Sequence, residues 1–129
     1  MHTFKVIVTL FVLLSIIFSL SIFANYTLNT TSKELVQDLQ KIEAYTIDSD
    51  WENAEIIINE LNAKWSNIQW TWSLLIDHFE VDNINIALAK TIQMIKFKDQ
   101  SSALQEIASL LQCIKHVPEM GKFNIQNIF

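Results

Sequence analysis

The chain has 129 residues with one glycine and one proline, and its formal net charge at pH 7 is −5. So few turn-forming residues argue against sandwiches and barrels, and they exclude sites that need a glycine-rich loop, such as a P-loop. All nine basic residues are lysines, and without arginine or a basic excess the chain is not expected to bind nucleic acid. The single cysteine, Cys113, cannot form an internal disulfide.

Residues 1–24 are predicted to be an N-terminal membrane anchor. Residues 6–24 contain no charge, glycine or proline, and at about 1.5 Å per residue they can cross the hydrocarbon core of a bilayer. The positive-inside rule, applied to Lys5 and the amino terminus, predicts a single-pass cell-membrane protein with its N-terminus in the cytoplasm. A cleaved signal peptide is the alternative, because small residues near Ser19 and Ala24 offer cleavage sites. The apolar run is longer than such peptides usually have.

The rest of the chain is predicted to be all-α. It divides into a short polar stalk (25–30), an extracytoplasmic antiparallel bundle of three to four long helices (31–118) and an apolar C-terminal tail (119–129). Three capping boxes predict helix starts, since Thr31, Ser49 and Ser102 are each followed three residues later by Glu or Gln. The first bundle helix is expected over about residues 32–45, either separate from the anchor or continuous with it.

The strongest pattern follows the second predicted start. Apolar residues recur there at alternating steps of three and four, which predicts a heptad seam on one long helix: Trp51, Ala54, Ile58, Leu61, Trp65, Ile68, Trp72, Leu75 and Phe79. Four more apolar residues lie on the opposite side of that helix: Ile56, Ala63, Trp70 and Leu74. Apolar positions on two faces predict a central helix with neighbours on both sides.

Two further apolar stripes follow, at Val81, Ile84, Leu88, Ile92 and Ile95, and then at Leu104, Ile107, Leu111 and Ile114. The change of register after Phe79 indicates either one bent helix or two helices, with Asp82 as a candidate cap. The last helix is expected to end before Pro118, because proline cannot continue a helix. Segments beginning near Asp50 and Asp99 are weakly alike, which we interpret as shared helix features and not as a repeat.

The sequence offers weak candidates for chemistry. His78 and Asp82 are four residues apart and could share a metal ion, and Asp77 and Glu80 lie beside them. A helical zinc site normally has a second histidine at ligand spacing, which is missing here. We therefore expect no catalytic residues, no metal site, no cofactor and no enzymatic activity.

Apolar residues off the main seam are candidates for partner binding. The seam tryptophans are expected in the core, whereas Trp70 and Leu74 could face a partner. The apolar residues of the C-terminal tail are further candidates, since an exposed apolar tail is expected to dock somewhere: Phe123, Ile125, Ile128 and Phe129.

Four blocks of this sequence resemble the small bacterial proteins grouped as domain of unknown function 4363. They are DWENAE (50–55), WSLLIDHFEVDNI (72–84), IKHVPE (114–119) and the closing NIQNIF, and the similarity covers nearly the whole chain. The resemblance implies a protein of spore-forming Gram-positive bacteria, encoded beside multi-pass membrane proteins, and it supplies no catalytic residues.

The expected function is an interaction or accessory module for another membrane protein, with the spore membrane as the location that the resemblance implies. The expected partner is a multi-pass membrane protein or a second copy of this chain. The alternative is an extracytoplasmic helical domain that senses a small ligand, and a cavity lined by Trp70 and Leu74 would favour that alternative.

Overall fold

The computed structural model describes residues 1–128, with side chains described through residue 118. The described chain consists of four helices: α1 (His2–Ile47), α2 (Trp51–Leu75), α3 (His78–Lys96) and α4 (Gln100–Ile128). The all-α prediction, with a long apolar first helix and a helical bundle, is confirmed. Residues 51–96 form two helices and not one bent helix.

The helices form a closed four-helix bundle. Helices α1 and α3 each pack against both α2 and α4. Turns of two or three residues join successive helices, so neighbouring helices run antiparallel. Fully buried leucines and isoleucines from all four helices fill the core, including Leu39, Ile58, Ile84 and Ile107.

Helix α1 runs without a break from the apolar segment into the bundle. The expected stalk, residues 25–30, is part of this helix, and Leu28 within it is already buried in the core. The predicted helix start at Thr31 is wrong: Thr31 Oγ1 donates to the carbonyl of Thr27 at 2.7 Å, inside the helix. A side chain that bonds back to its own helix cannot act as an N-cap at that position.

The α1–α2 and α3–α4 turns have the same conformation. In each, one residue has a left-handed φ of 57°, namely Ser49 and Lys98. That residue and the aspartate after it donate backbone hydrogen bonds back into the ending helix, as in a Schellman motif. The aspartates, Asp50 and Asp99, then cap the next helix by accepting backbone N–H bonds at 3.4 and 3.3 Å. The predicted caps at Ser49 and Ser102 are therefore wrong.

The two hairpins built on these turns share one pattern of burial. We call α1 from residue 28 together with α2 the first hairpin, and α3 together with α4 the second hairpin. Buried positions correspond at a constant offset of about 49 residues, which is the spacing of the two equivalent turns. Nine buried residues of the first hairpin each have a buried counterpart in the second: Ser32, Leu35, Leu39, Ile42, Thr46, Ala54, Ile58, Leu61 and Trp65 are matched by Val81, Ile84, Leu88, Thr91, Ile95, Ala103, Ile107, Leu110 and Ile114. The weak sequence similarity therefore accompanies a structural repeat, which our interpretation missed.

Pro118 lies inside α4, so the prediction that the helix ends before it is wrong. Proline has no N–H to donate to the carbonyl four residues earlier, which belongs to Ile114. The hydroxyl of Ser32 on α1 donates to that carbonyl at 3.2 Å. Because Ser32 is itself buried, the bond satisfies two polar groups in the interior and lets the helix continue.

The heptad seam ends at Leu75. Helix α2 stops there, and Asp77 begins α3 by accepting a hydrogen bond from the N–H of Phe79 at 3.2 Å. The side chain of Phe79, the last predicted seam residue, is 67% exposed. Asp77 and not Asp82 is the cap of α3, because it is the residue with extended backbone just before the helix.

Candidate partner-binding surface

The second apolar side of α2 is a solvent-exposed face. We call Ile56, Ala63, Trp70 and Leu74 the α2 outer face, and all four are exposed. The side chain of Trp70 is 72% exposed and that of Leu74 is 66% exposed. The prediction that α2 is a central helix is wrong, because a helix of a closed four-helix bundle has only two neighbours, here α1 and α3.

The structural repeat provides a comparison for this face. The residues of α4 that correspond to Ile56 and Ala63 are Gln105 and Gln112, and both are exposed. The same bundle position therefore carries apolar side chains on one hairpin and amides on the other. Folding of the repeat does not require apolar residues at these two positions, so the exposure of Ile56 and Ala63 needs another explanation.

Charge changes along the α2 outer face. Glu52 and Glu60 are exposed one helical turn on either side of Ile56, whereas Asn67 is the exposed neighbour of Trp70. The one lysine of α2, Lys64, points toward α1, where Nζ donates to Asp38 Oδ2 at 2.7 Å. That hydrogen bond raises the pKa of Lys64. The face is acidic near the start of α2 and uncharged near its end.

The other tryptophans belong to the bundle interior, as predicted for the seam. Trp65 and Trp72 are buried and meet edge to face, with ring centroids 5.2 Å apart. The indole N–H of Trp65 donates to Asn85 Oδ1 at 2.7 Å, and that of Trp72 donates to Thr31 Oγ1 at 2.9 Å. Buried indoles normally find such partners. Trp70 is the tryptophan that the fold leaves on the surface.

The structure does not gather the candidate metal ligands into a cluster. His78 and Asp82 are both exposed, and Asp77 is engaged as the cap of α3. Among the described residues, no group of three or more histidines, cysteines or acids could hold a metal ion. Cys113 is half-buried, and burial raises the pKa of its thiol, which favours the less reactive protonated form.

The C-terminal candidates lie outside the described side chains. Phe123, Ile125 and Ile128 are in the part of α4 for which only the helix is described, and Phe129 is beyond it. The proposal that these residues dock onto a partner stays a prediction.

Helix α1 is the one helix in the described chain that is long and apolar enough to cross a membrane. The side chains of residues 2–20 are exposed, and none of the described core residues comes from this segment.

The model of one protein family, described as Domain of unknown function (DUF4363), matches residues 22–128. The chain belongs to this family. The match extends from the end of the apolar segment through the whole DUF4363 bundle, which confirms the resemblance seen in the sequence blocks. No curated protein and no solved structure matches the chain significantly.

Trp70 and Leu74 were predicted as partner-binding residues from the sequence, but on a helix expected to have neighbours on both sides. Phe79 was predicted to lie on the core seam and is exposed instead. The signal that could have corrected the second error is Asp77-His78, since an aspartate ahead of a new apolar register is a typical helix start.

Proposed function

We propose that this protein is anchored in the membrane by α1 and binds another membrane protein through the α2 outer face. The observation that carries the proposal is the exposure of Trp70 and Leu74, one helical turn apart, on a face that no helix of the bundle covers. Tryptophan is enriched among the residues that dominate binding energy at interfaces. Contiguous exposed apolar side chains on a helix are typical of such sites.

The anchor and its orientation are part of the same proposal. The exposed apolar segment of α1 supports membrane insertion, and Lys5 supports a cytoplasmic N-terminus with the bundle outside the cell. The proposed partner is a multi-pass membrane protein, and the spore membrane is the location that goes with the family context described above.

Charge favours a different protein over a second copy of the chain. Two copies anchored in one membrane must lie parallel, so contact through the α2 outer face would bring Glu52 and Glu60 of one copy close to those of the other. Like charges at an interface oppose association. A partner with an apolar strip near the membrane and basic groups farther out would complement the face.

Photocrosslinking tests the proposal. The full chain, produced in its native host, carries a photoreactive phenylalanine analogue at position 70, and the matched control carries it at position 97. Phe97 is 71% exposed, close to the value for Trp70, but it lies at the α3–α4 turn. We expect position 70 to crosslink to a multi-pass membrane protein and position 97 not to do so.

A second variant checks that the contact depends on the apolar face. Leu74→Ser should reduce the yield of the crosslink from position 70, because truncating a binding hot spot weakens affinity by roughly 30-fold. Crosslinks only between copies of this chain, or an equal yield from positions 70 and 97, would contradict the proposal.

The ligand-sensing alternative has no specific support. A cavity lined by Trp70 and Leu74 would have favoured it, and both side chains lie on the outer surface of the bundle. The expectation that the protein is not an enzyme stays a prediction, which replacement of His78 and Asp82 by alanine tests, with unchanged cellular function as the expected result.

A further inference from the structure

The end of the bundle that contains the α2–α3 turn lies close to the membrane segment. Two side-chain contacts set the level of α2 against α1: Trp72 Nε1 donates to Thr31 Oγ1 at 2.9 Å, and Lys64 Nζ donates to Asp38 Oδ2 at 2.7 Å. Because α1 and α2 are antiparallel, this register places the α2–α3 turn beside the part of α1 that precedes Leu28.

The register of α2 against α1 gives the height of the α2–α3 turn above the hydrocarbon core of the membrane. Helix α1 has no break between the apolar segment and Leu28. At 1.5 Å per residue the α2–α3 turn lies about 5 Å beyond Ala24, measured along α1. The headgroup region of one leaflet is about 5–7 Å thick. The turn therefore lies at headgroup level when residues 6–24 occupy the hydrocarbon.

Exposed apolar side chains surround this turn. Leu74 is in the last turn of α2 and Phe79 in the first turn of α3, and they are 66% and 67% exposed. Tyr26 of α1 is also exposed and lies two residues after the end of the apolar segment. Aromatic residues are enriched at this depth in membrane proteins, where the ring leaves water and stays near polar groups.

We propose that Phe79 inserts into the lipid headgroup region, so that the bundle rests on the membrane surface through its α2–α3 turn. The occupant of this surface is lipid, because the continuous α1 helix holds the turn at the depth of the headgroups. The inference depends on the membrane anchor of the proposed function and is independent of its protein partner.

The charges beside the turn specify the kind of lipid surface. Asp77, the cap of α3, and Glu80 lie within two residues of Phe79, and Asp82 follows three residues after it. These carboxylates would be repelled by the negative surface potential of anionic lipids. The face therefore fits a zwitterionic headgroup, such as phosphatidylcholine, better than an anionic one.

Depth-dependent quenching tests the inference. The full chain, with Cys113→Ala so that one introduced thiol is labelled, is reconstituted in phosphatidylcholine vesicles that contain nitroxide lipids. A fluorophore is attached in separate variants at Phe79→Cys, Phe97→Cys and Phe23→Cys. Position 97 is the matched control for position 79. Phe79 and Phe97 are 67% and 71% exposed, and they lie at opposite ends of α3, about 27 Å apart along the helix.

The label at position 79 should be quenched severalfold more by headgroup and shallow acyl nitroxides than the label at position 97. Equal quenching at positions 79 and 97 overturns the inference. The label at position 23 separates the two proposals. Strong quenching at position 23 without quenching at position 79 would support the membrane anchor and contradict the lipid contact of the turn. No quenching at position 23 would contradict the anchor itself.

Discussion

The first and second hairpins have one core pattern and two different surfaces. Their turns have the same backbone conformation, and nine buried residues of the first hairpin correspond to nine of the second. The outer face of α2 is nevertheless apolar where that of α4 carries Gln105 and Gln112, and among the described helices α1 alone extends into a segment long and apolar enough to cross a membrane. The shared buried residues are those that the bundle needs in order to fold. The apolar outer face of α2 and the N-terminal segment of α1 are additional features of the first hairpin.

The largest expected effects come from the shared core. Ile58 and Ile107 occupy corresponding positions and are both completely buried. Ile58→Ala and Ile107→Ala should each lower the free energy of unfolding by about 2–5 kcal/mol, through lost burial and the cavity left behind. Urea unfolding of the full chain in non-ionic detergent, followed by tryptophan fluorescence, measures both values. A large loss for one variant and almost none for the other would contradict the equivalence of the hairpins.

The bond between Ser32 and the carbonyl of Ile114 has no counterpart in the other half of the repeat, where Val81 and Gln69 correspond to Ser32 and Pro118. Ser32→Ala should cost about 1–3 kcal/mol, because a buried carbonyl loses its donor. In a Pro118→Ala background the restored N–H at position 118 supplies that donor. The cost of Ser32→Ala should then fall to about half or less, and a double-mutant cycle measures the coupling.

An additive cycle would show that the Ile114 carbonyl is satisfied in some other way. Ser66→Ala is the matched control, since the Ser66 hydroxyl bonds to the Asn62 carbonyl of its own helix and is exposed. Its effect on the free energy of unfolding should be near zero.

The two turn residues with left-handed φ, Ser49 and Lys98, allow the two hairpins to be compared through smaller changes in stability. Lys98→Gly should stabilise the protein by about 0.5–1 kcal/mol, because glycine adopts positive φ without the steric cost that other residues pay. Ser49→Gly should stabilise less, since Ser49 Oγ accepts a hydrogen bond from Gln100 Nε2. Thermal unfolding of both variants checks the order, and a larger gain for Ser49→Gly would contradict it.

The smallest effect is expected at the one ion pair between α1 and α2. The hydrogen bond to Asp38 raises the pKa of Lys64, so the pair stabilises the fold below the unfolded pKa of lysine. Its contribution is lost as the pH rises through the folded pKa. Asp38→Asn should cost about 0.2–1 kcal/mol at pH 7. A comparison of unfolding at pH 7 and above pH 11 should show the difference between variant and parent shrinking.

Sequence periodicity predicted the buried side of α2 and α3, because buried positions on a helix must recur at helical spacing. It could not show how many neighbours α2 has, and this number decides whether Trp70 is buried or exposed. The sequence also could not show that Ser49 and Lys98 adopt a left-handed φ. With this φ each of them ends the preceding helix, and the aspartate that follows caps the next one. Pro118 is tolerated through the hydrogen bond from Ser32 to the carbonyl of Ile114, two residues that are 82 positions apart in the sequence, so no local pattern could indicate it.

Helix α1 passes from the apolar segment into the bundle without a proline, a glycine or a turn. A continuous helix has no break at which its two parts could pivot independently, so in the proposed membrane-anchored state the anchor and the bundle have the same inclination. The α1–α2 turn is about 35 Å beyond Ala24. A change of about 10° in anchor tilt, which is well within the range seen for membrane helices, would sweep that turn sideways by about 6 Å. Because bilayer thickness affects the tilt of a membrane helix, it would in this way affect the position of the α1–α2 turn relative to the membrane.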